Sequence, residues 1–167
     1  MTPVTDISTH HIWSILEKVT DPEVPVLTVI DLGIIREVTV NDGEVKIVIT
    51  PTYSGCPAMD MIRINIKMAL LEHGYKKVNV VQTLSPAWTT DWMTEEGKQK
   101  LKEYGIAPPN TKQLVCHPDL FAIEEAIQCP HCHSYHTHIV SEFGSTACKA
   151  LYQCDDCKEP FDYFKCH

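Results

Sequence analysis

Cysteine carries the chemistry that this sequence can do. Cys129-Pro130-His131-Cys132 and Cys154-Asp155-Asp156-Cys157 are two Cys-x-x-Cys pairs separated by 21 residues. Each pair can present two thiolates from one tight turn. Two such turns joined by a hairpin make the tetrahedral sulfur site that zinc prefers, with Zn–S near ~2.3 Å. The same four thiolates could hold an iron–sulfur cluster, and a single pair could act as a redox dithiol if it sat in a larger α/β context. A structural zinc on Cys129, Cys132, Cys154 and Cys157 is the expectation. His131, His133, His136 and His138 lie in or just past the first pair, where one could replace a cysteine ligand. Cys148 reads as core, while Cys116, beside His117, and Cys166 read as packing or as extra sulfur ligands.

A lone thiol, Cys56, sits in Thr50-Pro-Thr-Tyr-Ser-Gly-Cys56-Pro57. Pro57 suits the first position of a helix because its missing N–H would have no partner there. Cys56 then falls at or just before the N-cap, where free N–H groups and the helix dipole favour thiolate over thiol. Thr50, Thr52, Tyr53 and Ser54 offer hydroxyls to that sulfur, and Gly55 permits a sharp turn. The plainer reading is a small buried hydrophobe in a tight turn.

The elements that position these cysteines follow from periodicity. Ile12, Ile15, Leu16 and Val19 line one face of a first helix capped by Thr9. Asp21-Pro22-Glu23-Val24-Pro25 ends it in a rigid acidic turn. An apolar run from Val26 to Ile35 carries Asp31-Leu32-Gly33 in its middle, with Asp31 as a turn former and Gly33 at a bend or close backbone approach. Val38–Val40 and Val45–Ile49 flank Asn41-Asp42-Gly43, a hairpin turn. The helix from Pro57 to about His73 has two apolar stripes: Ala58, Ile62, Ile66 and Ala69, and Met61, Ile64, Met68 and Leu71. Burial on two sides is expected, either within the domain or at a homodimer contact. Val78–Leu84 is a third strand, parallel to the second by a right-handed crossover. Ser85–Met93 holds Trp88 and Trp92, either buried over the sheet or offered to a partner. A weaker helix runs from Thr94 to Tyr104. Strands at His136–Phe143 and Ala147–Gln153, with a bend at Gly144-Ser145, complete the tail.

The fold class is therefore α+β: a small α-β-β-α-β domain over residues 1–108, a connector over 109–128 and a zinc-ribbon-like β-hairpin domain over 129–167. A ribbon this small has little core, so its metal would contribute most of its folding free energy. A net charge of −8 argues against nonspecific nucleic-acid binding, which needs clustered Lys and Arg. No apolar run approaches the roughly 20 residues of a membrane span. With no basic, apolar leader at Met1–His10, the expected location is the cytoplasm, where eight cysteines are more readily metal ligands or reactive thiols than disulfides.

The first hundred or so residues resemble the metal–sulfur cluster assembly domain family. Asp21-Pro22-Glu23, Asp31-Leu32-Gly33-Ile34-Ile35 and Thr50-x-Thr52-x-x-Gly55-Cys56-Pro57 carry the resemblance. It implies that Cys56 is the functional cysteine, with Thr50, Thr52 and Asp21 to Glu23 lining its region. Leu27 departs from the family, where Asn is common. The full length, through Ser85–Met93, Ser141–Leu151 and Pro160–Cys166, resembles accessory proteins of aerobic phenylacetate degradation. That resemblance implies a non-enzymatic accessory of phenylacetyl-CoA epoxidase, with the reductase or diiron component as partner. Its role would be to handle transient iron or an iron–sulfur cluster. A non-catalytic adaptor that holds oxygenase components together, through Trp88, Trp92 and Phe161 to Phe164, is the alternative.

Overall fold

The computed structural model describes residues 9–109 and 127–165. These divide into two units, one formed by residues 9–88 with 92–94 and the other by 89–91, 95–109 and 127–165. Most of the expected connector, with Cys116 and His117, lies outside the described residues, as does Cys166.

In the first unit, helix α1 (Thr9–Leu16) buries Ile12, Ile15 and Leu16. The acidic turn after it is closed by Asp21, whose Oδ1 accepts the N–H groups of Glu23 at 2.7 Å and Val24 at 2.8 Å. The apolar run that follows is a chain of turns, with one isolated bridge between Thr20 and Thr28. Asp31 explains this: its Oδ2 accepts both the N–H and the hydroxyl of Thr28 at 2.9 Å, which closes the backbone locally. Leu27, Val29, Leu32 and Ile34 are buried all the same. At Gly33, φ is +64°, and a Cβ there would stand 1.9 Å from the Trp92 carbonyl oxygen, so the close approach admits only glycine.

Strands β1 (Ile35–Asn41) and β2 (Glu44–Ile49) form the expected antiparallel hairpin. Asp42 and Gly43 hold φ of 49° and 76° at its tip, the left-handed pair that a two-residue turn needs. Helix α2 (Ala58–Glu72) then crosses to β3 (Lys77–Gln82), which pairs with β2 in parallel from Glu44↔Lys77 to Ile49↔Gln82. The sheet order is β1-β2-β3. Val45, Ile47 and Ile49 alternate inward along β2, and Ala58, Met59, Ile62, Ile66 and Leu70 are the buried residues of α2. Each large aliphatic buried here contributes about 1.5–3 kcal/mol. The second apolar stripe of α2 remains exposed.

The Ser85–Met93 loop turns its tryptophans inward. Trp88 is buried and its Nε1 donates to the Leu32 carbonyl at 2.8 Å. The Arg36 guanidinium stacks 3.6 Å from the centre of the Trp92 ring.

The second unit holds α3 (Glu95–Glu103), β4 (Ile106–Ala107), β5 (Thr137–Ser141), β6 (Lys149–Cys154) and β7 (Pro160–Phe164), with sheet order β4-β7-β6-β5. The β5–β6 hairpin is the expected ribbon. β7 pairs antiparallel with β6 and β4 pairs parallel with β7, so the sheet has two strands more than the expected hairpin.

Candidate functional site

Cys129, Cys132, Cys154 and Cys157 converge, their four sulfurs all within 4.8 Å of one another. Cys129 Sγ lies 3.8 Å from Cys157 Sγ, and Cys132 Sγ lies 3.5 Å from Cys154 Sγ. A tetrahedral ion with metal–sulfur bonds of ~2.3 Å needs sulfur–sulfur edges of roughly 3.8 Å, so these four positions fit one zinc-sized centre.

Two matching turns place the sulfurs. In the first, His133 N–H donates to the Cys129 carbonyl at 2.9 Å and Cys129 N–H to the Ser134 carbonyl at 2.8 Å. In the second, Lys158 N–H donates to the Cys154 carbonyl and Cys154 N–H to the Glu159 carbonyl, both at 3.0 Å. His133 and Lys158 each follow the second cysteine of their pair and each hold positive φ, 63° and 65°. A left-handed residue there turns the chain back under the site.

The electrostatics of the cluster follow from crowding. Backbone N–H bonds from Cys157 and Asp156 hold Cys154 at about 7. For Cys157 the Glu159 N–H favours the thiolate, but desolvation and the neighbouring sulfurs push it to about 12. Sulfurs this close cannot all ionise without a cation among them.

The histidines near the first pair act as braces. His136 Nδ1 is 3.2 Å from Asp156 and His138 Nδ1 is 3.0 Å from Asp155, both aspartates being interior residues of the second Cys-x-x-Cys turn. Ser134 Oγ donates to Asp156 Oδ2, and Asp155 N–H donates to the His136 carbonyl at 2.7 Å. The cysteines also belong to the core: Cys129 and Cys154 are fully buried in one cluster with Ala107, Ile127, Ala150, Phe161 and Tyr163. Cys148 is buried as expected, its Sγ 3.0 Å from Thr146 Oγ1.

In the first unit, Cys56 is half-buried just before Pro57, the N-cap of α2, with Gly55 at φ 86°. Its sulfur meets the expected helix-terminal N–H, that of Ala58, and a Tyr53 hydroxyl bond. Desolvation nevertheless outweighs both and pushes the thiol above its ordinary value, and the charges of Glu23 and Asp21 add to the rise. The expectation that this position favours thiolate is thus corrected. Two carboxylates from a turn some thirty residues upstream oppose the helix terminus. Of the four hydroxyls offered to the sulfur, only that of Tyr53 acts on it among the interactions that set its ionisation. Thr50 is 1% exposed and its Oγ1 has no hydrogen-bond partner among the described residues. Thr52 is half-buried and Ser54 exposed in the loop.

Of the aromatic residues expected to make adaptor contacts, Trp92 is half-buried and the others are not displayed. Trp88, Phe161 and Phe164 are 4%, 3% and 2% exposed. Among the described residues of the second unit, the large exposed apolar side chains are Tyr104, Tyr135, Ile139, Val140 and Phe143, four of them on or beside β5, and no pattern in the sequence marks them.

Comparison with known proteins adds to this geometry. Residues 9–82 match the family profile for iron–sulfur cluster assembly proteins, and residues 116–165 match that for the PaaD zinc β-ribbon domain. An Escherichia coli K12 protein, provisionally named as the D component of 1,2-phenylacetyl-CoA epoxidase, is 53% identical over 157 residues, 94% of this chain and 92% of that one. An Fe-S protein maturation auxiliary factor of Porphyromonas gingivalis is 41% identical over 88 residues, 52% of this chain and 83% of that protein. The crystal structure of a DUF59 domain from Bacillus anthracis, 26% identical, superposes with a TM-score of 0.52 over 55% of this chain and 89% of that one. With both domains matched in order and nearly the whole length of the first relative covered, this chain belongs to the PaaD family of phenylacetyl-CoA epoxidase components, an iron–sulfur cluster assembly domain followed by a zinc β-ribbon.

Proposed function

We propose that this chain is an accessory maturation factor of phenylacetyl-CoA epoxidase that passes iron or an iron–sulfur cluster to an oxygenase component, the reductase or the diiron subunit. It is not the catalyst of epoxidation. The observation that carries this reading is a lone half-buried thiol at the N-terminus of α2, within the stretch that matches iron–sulfur cluster assembly proteins.

A single thiolate is too few ligands for permanent retention of iron, so Cys56 would hold its cargo together with ligands supplied by the cargo or the client, within the field of the Glu23 and Asp21 carboxylates. Without cargo, burial, with a smaller push from the carboxylates, holds the sulfur as a thiol, which resists oxidation. An arriving cation inverts this logic: the same carboxylates then attract the metal, and Cys56 releases its proton as it binds. Thr50, with an unpartnered hydroxyl at the end of β2, supplies a further oxygen for the cargo or its sulfides. In the ribbon, Cys129, Cys132, Cys154 and Cys157 hold a structural zinc, which supplies folding free energy and no chemistry. Cargo would be handled by the first unit and zinc held by the second, to whose sheet β4 at Ile106–Ala107 also belongs.

The test is zinc, iron and acid-labile sulfide per chain on protein purified without oxygen, together with iron delivery to each epoxidase component. About one zinc in both wild type and Cys56→Ala is expected, with iron delivery lost only in the variant. Delivery at the wild-type level by Cys56→Ala would remove Cys56 from the mechanism. A stable stoichiometric complex with the mature epoxidase, indifferent to Cys56→Ala, would favour the adaptor instead.

A further inference from the structure

Helix α2 has two apolar faces, and the first unit uses one. Ala58, Met59, Ile62, Ile66 and Leu70 are buried. On the opposite side Met61, Ile64, Met68 and Leu71 are 50%, 55%, 50% and 38% exposed. A lone exposed apolar residue needs no explanation. These four are contiguous, and their steps of three, four and three residues are the a and d positions of a helix–helix seam. A patch of that kind on a helix whose other face is already packed marks an interface.

The charges beside the seam identify what covers it. Asp60 and Lys67 are exposed, opposite in sign and one heptad apart on the same flank. When two identical helices lie antiparallel about a two-fold axis, like flanks face each other. Asp60 of each copy then meets Lys67 of the other, with Ile64 near the axis. The other flank presents Asn65 and Glu72. In the same arrangement Glu72 falls just beyond the N-terminus of the opposite helix, level with its Gly55, where negative charge is favoured. Arg63, ion-paired with Asp60 of its own helix at 3.6 Å, lies farther round from the stripe, and the charges that border the stripe itself meet opposite signs in this register, so the surface is complementary to itself.

We infer that the outward face of α2 is a homodimer seam in which Met61, Ile64, Met68 and Leu71 pack against the same residues of a second copy, antiparallel, with reciprocal Asp60–Lys67 pairs. The seam uses none of the candidate site residues, so the dimer carries two copies of Cys56 and two of the four-cysteine centre.

Sedimentation equilibrium on the full metal-loaded chain, from low to high micromolar concentration, tests it. Wild type is expected to be dimeric and Ile64→Glu monomeric with an unchanged far-ultraviolet spectrum. Asp60→Lys places like charges across the seam and raises the dissociation constant about tenfold or more. Lys67→Asp does the same from the other side of the pair without touching the first helical turn. Combining the two restores association, because the reciprocal pairs re-form with their signs exchanged. A wild type that stays monomeric throughout the range would overturn the inference, including the case in which the face serves a different protein. So would a dimer indifferent to Ile64→Glu, or a double exchange that stays as weak as its single variants.

Discussion

Removing the metal from the ribbon should unfold the second unit's sheet and leave the first unit intact. The core that holds the ribbon is one small cluster in which Cys129 and Cys154 are themselves members, beside Ala107, Ile127, Ala150, Phe161 and Tyr163. Binding a structural zinc contributes about 10–16 kcal/mol in small domains, which matches or exceeds the ~5–15 kcal/mol net stability of a whole domain. Without the ion, a ribbon with so few apolar groups falls below the folding threshold, and four crowded sulfurs repel as they ionise. The tryptophans give an internal control: Trp13, Trp88 and Trp92 all belong to the first unit. A chelator should therefore abolish amide protection across β5, β6 and β7 in hydrogen-exchange mass spectrometry, while tryptophan emission and the protection of β1 to β3 hold. Metal release is followed in parallel with a colorimetric indicator. If the metal leaves and β5 to β7 keep their protection, the ion is not the source of the ribbon's stability.

Three further outcomes follow from the geometry. Thr50→Val removes a buried hydroxyl that has no partner among the described residues, so thermal stability should be unchanged or rise by up to about 1 kcal/mol, while iron delivery falls if that oxygen serves the cargo; a loss of stability would show that the hydroxyl is satisfied. Because desolvation and the Glu23 and Asp21 charges raise the Cys56 thiol, its thiolate fraction in metal-free protein is small at neutral pH and grows only at higher pH than for an ordinary cysteine. Peptide-resolved alkylation rates should therefore show a right-shifted pH profile that Asp21→Asn with Glu23→Gln moves back, and an unmoved profile would refute the electrostatic part. Gly33→Ala sets a methyl against the Trp92 carbonyl at a positive φ, which should cost more than about 2 kcal/mol and lower the unfolding midpoint of the first unit.

What can be read from the sequence is what is local. Asp42-Gly43 carries its own turn geometry, and two Cys-x-x-Cys pairs carry their own ligand spacing, so the hairpin and the metal centre are both legible. The two stripes of α2 are legible because helical period is local too. Strand β4 is two residues long and owes its existence to β7, more than fifty residues later, so no window around Ile106-Ala107 signals it. In the run from Val26 to Ile35 the turn-forming role of Asp31 is legible, while the residue that it closes on, Thr28, is settled only by the folded backbone. The acidity of Cys56 is misleading in the sequence because helix terminus and proline are adjacent along the chain, while the burial that opposes them, and the carboxylates that add to it, arrive through the fold. The pairing of His136 and His138 with Asp156 and Asp155 likewise joins residues from two turns of the ribbon.

The two ribbon turns differ in one respect that gives the metal centre a direction. Cys129 and Cys154 are sealed in the core, whereas Cys132 is exposed and Cys157 half-buried. Oxidants, alkylating reagents and competing ligands thus reach the ion from one side, and Cys132 is the sulfur that they meet first. Dissolution of the centre is then ordered, with the outer sulfur leaving first and the inner pair last. Mass mapping of the earliest alkylated ribbon cysteine would read that order. A ribbon that has lost only Cys132 still keeps three ligands, two of them held by the core, and can take its metal back without refolding.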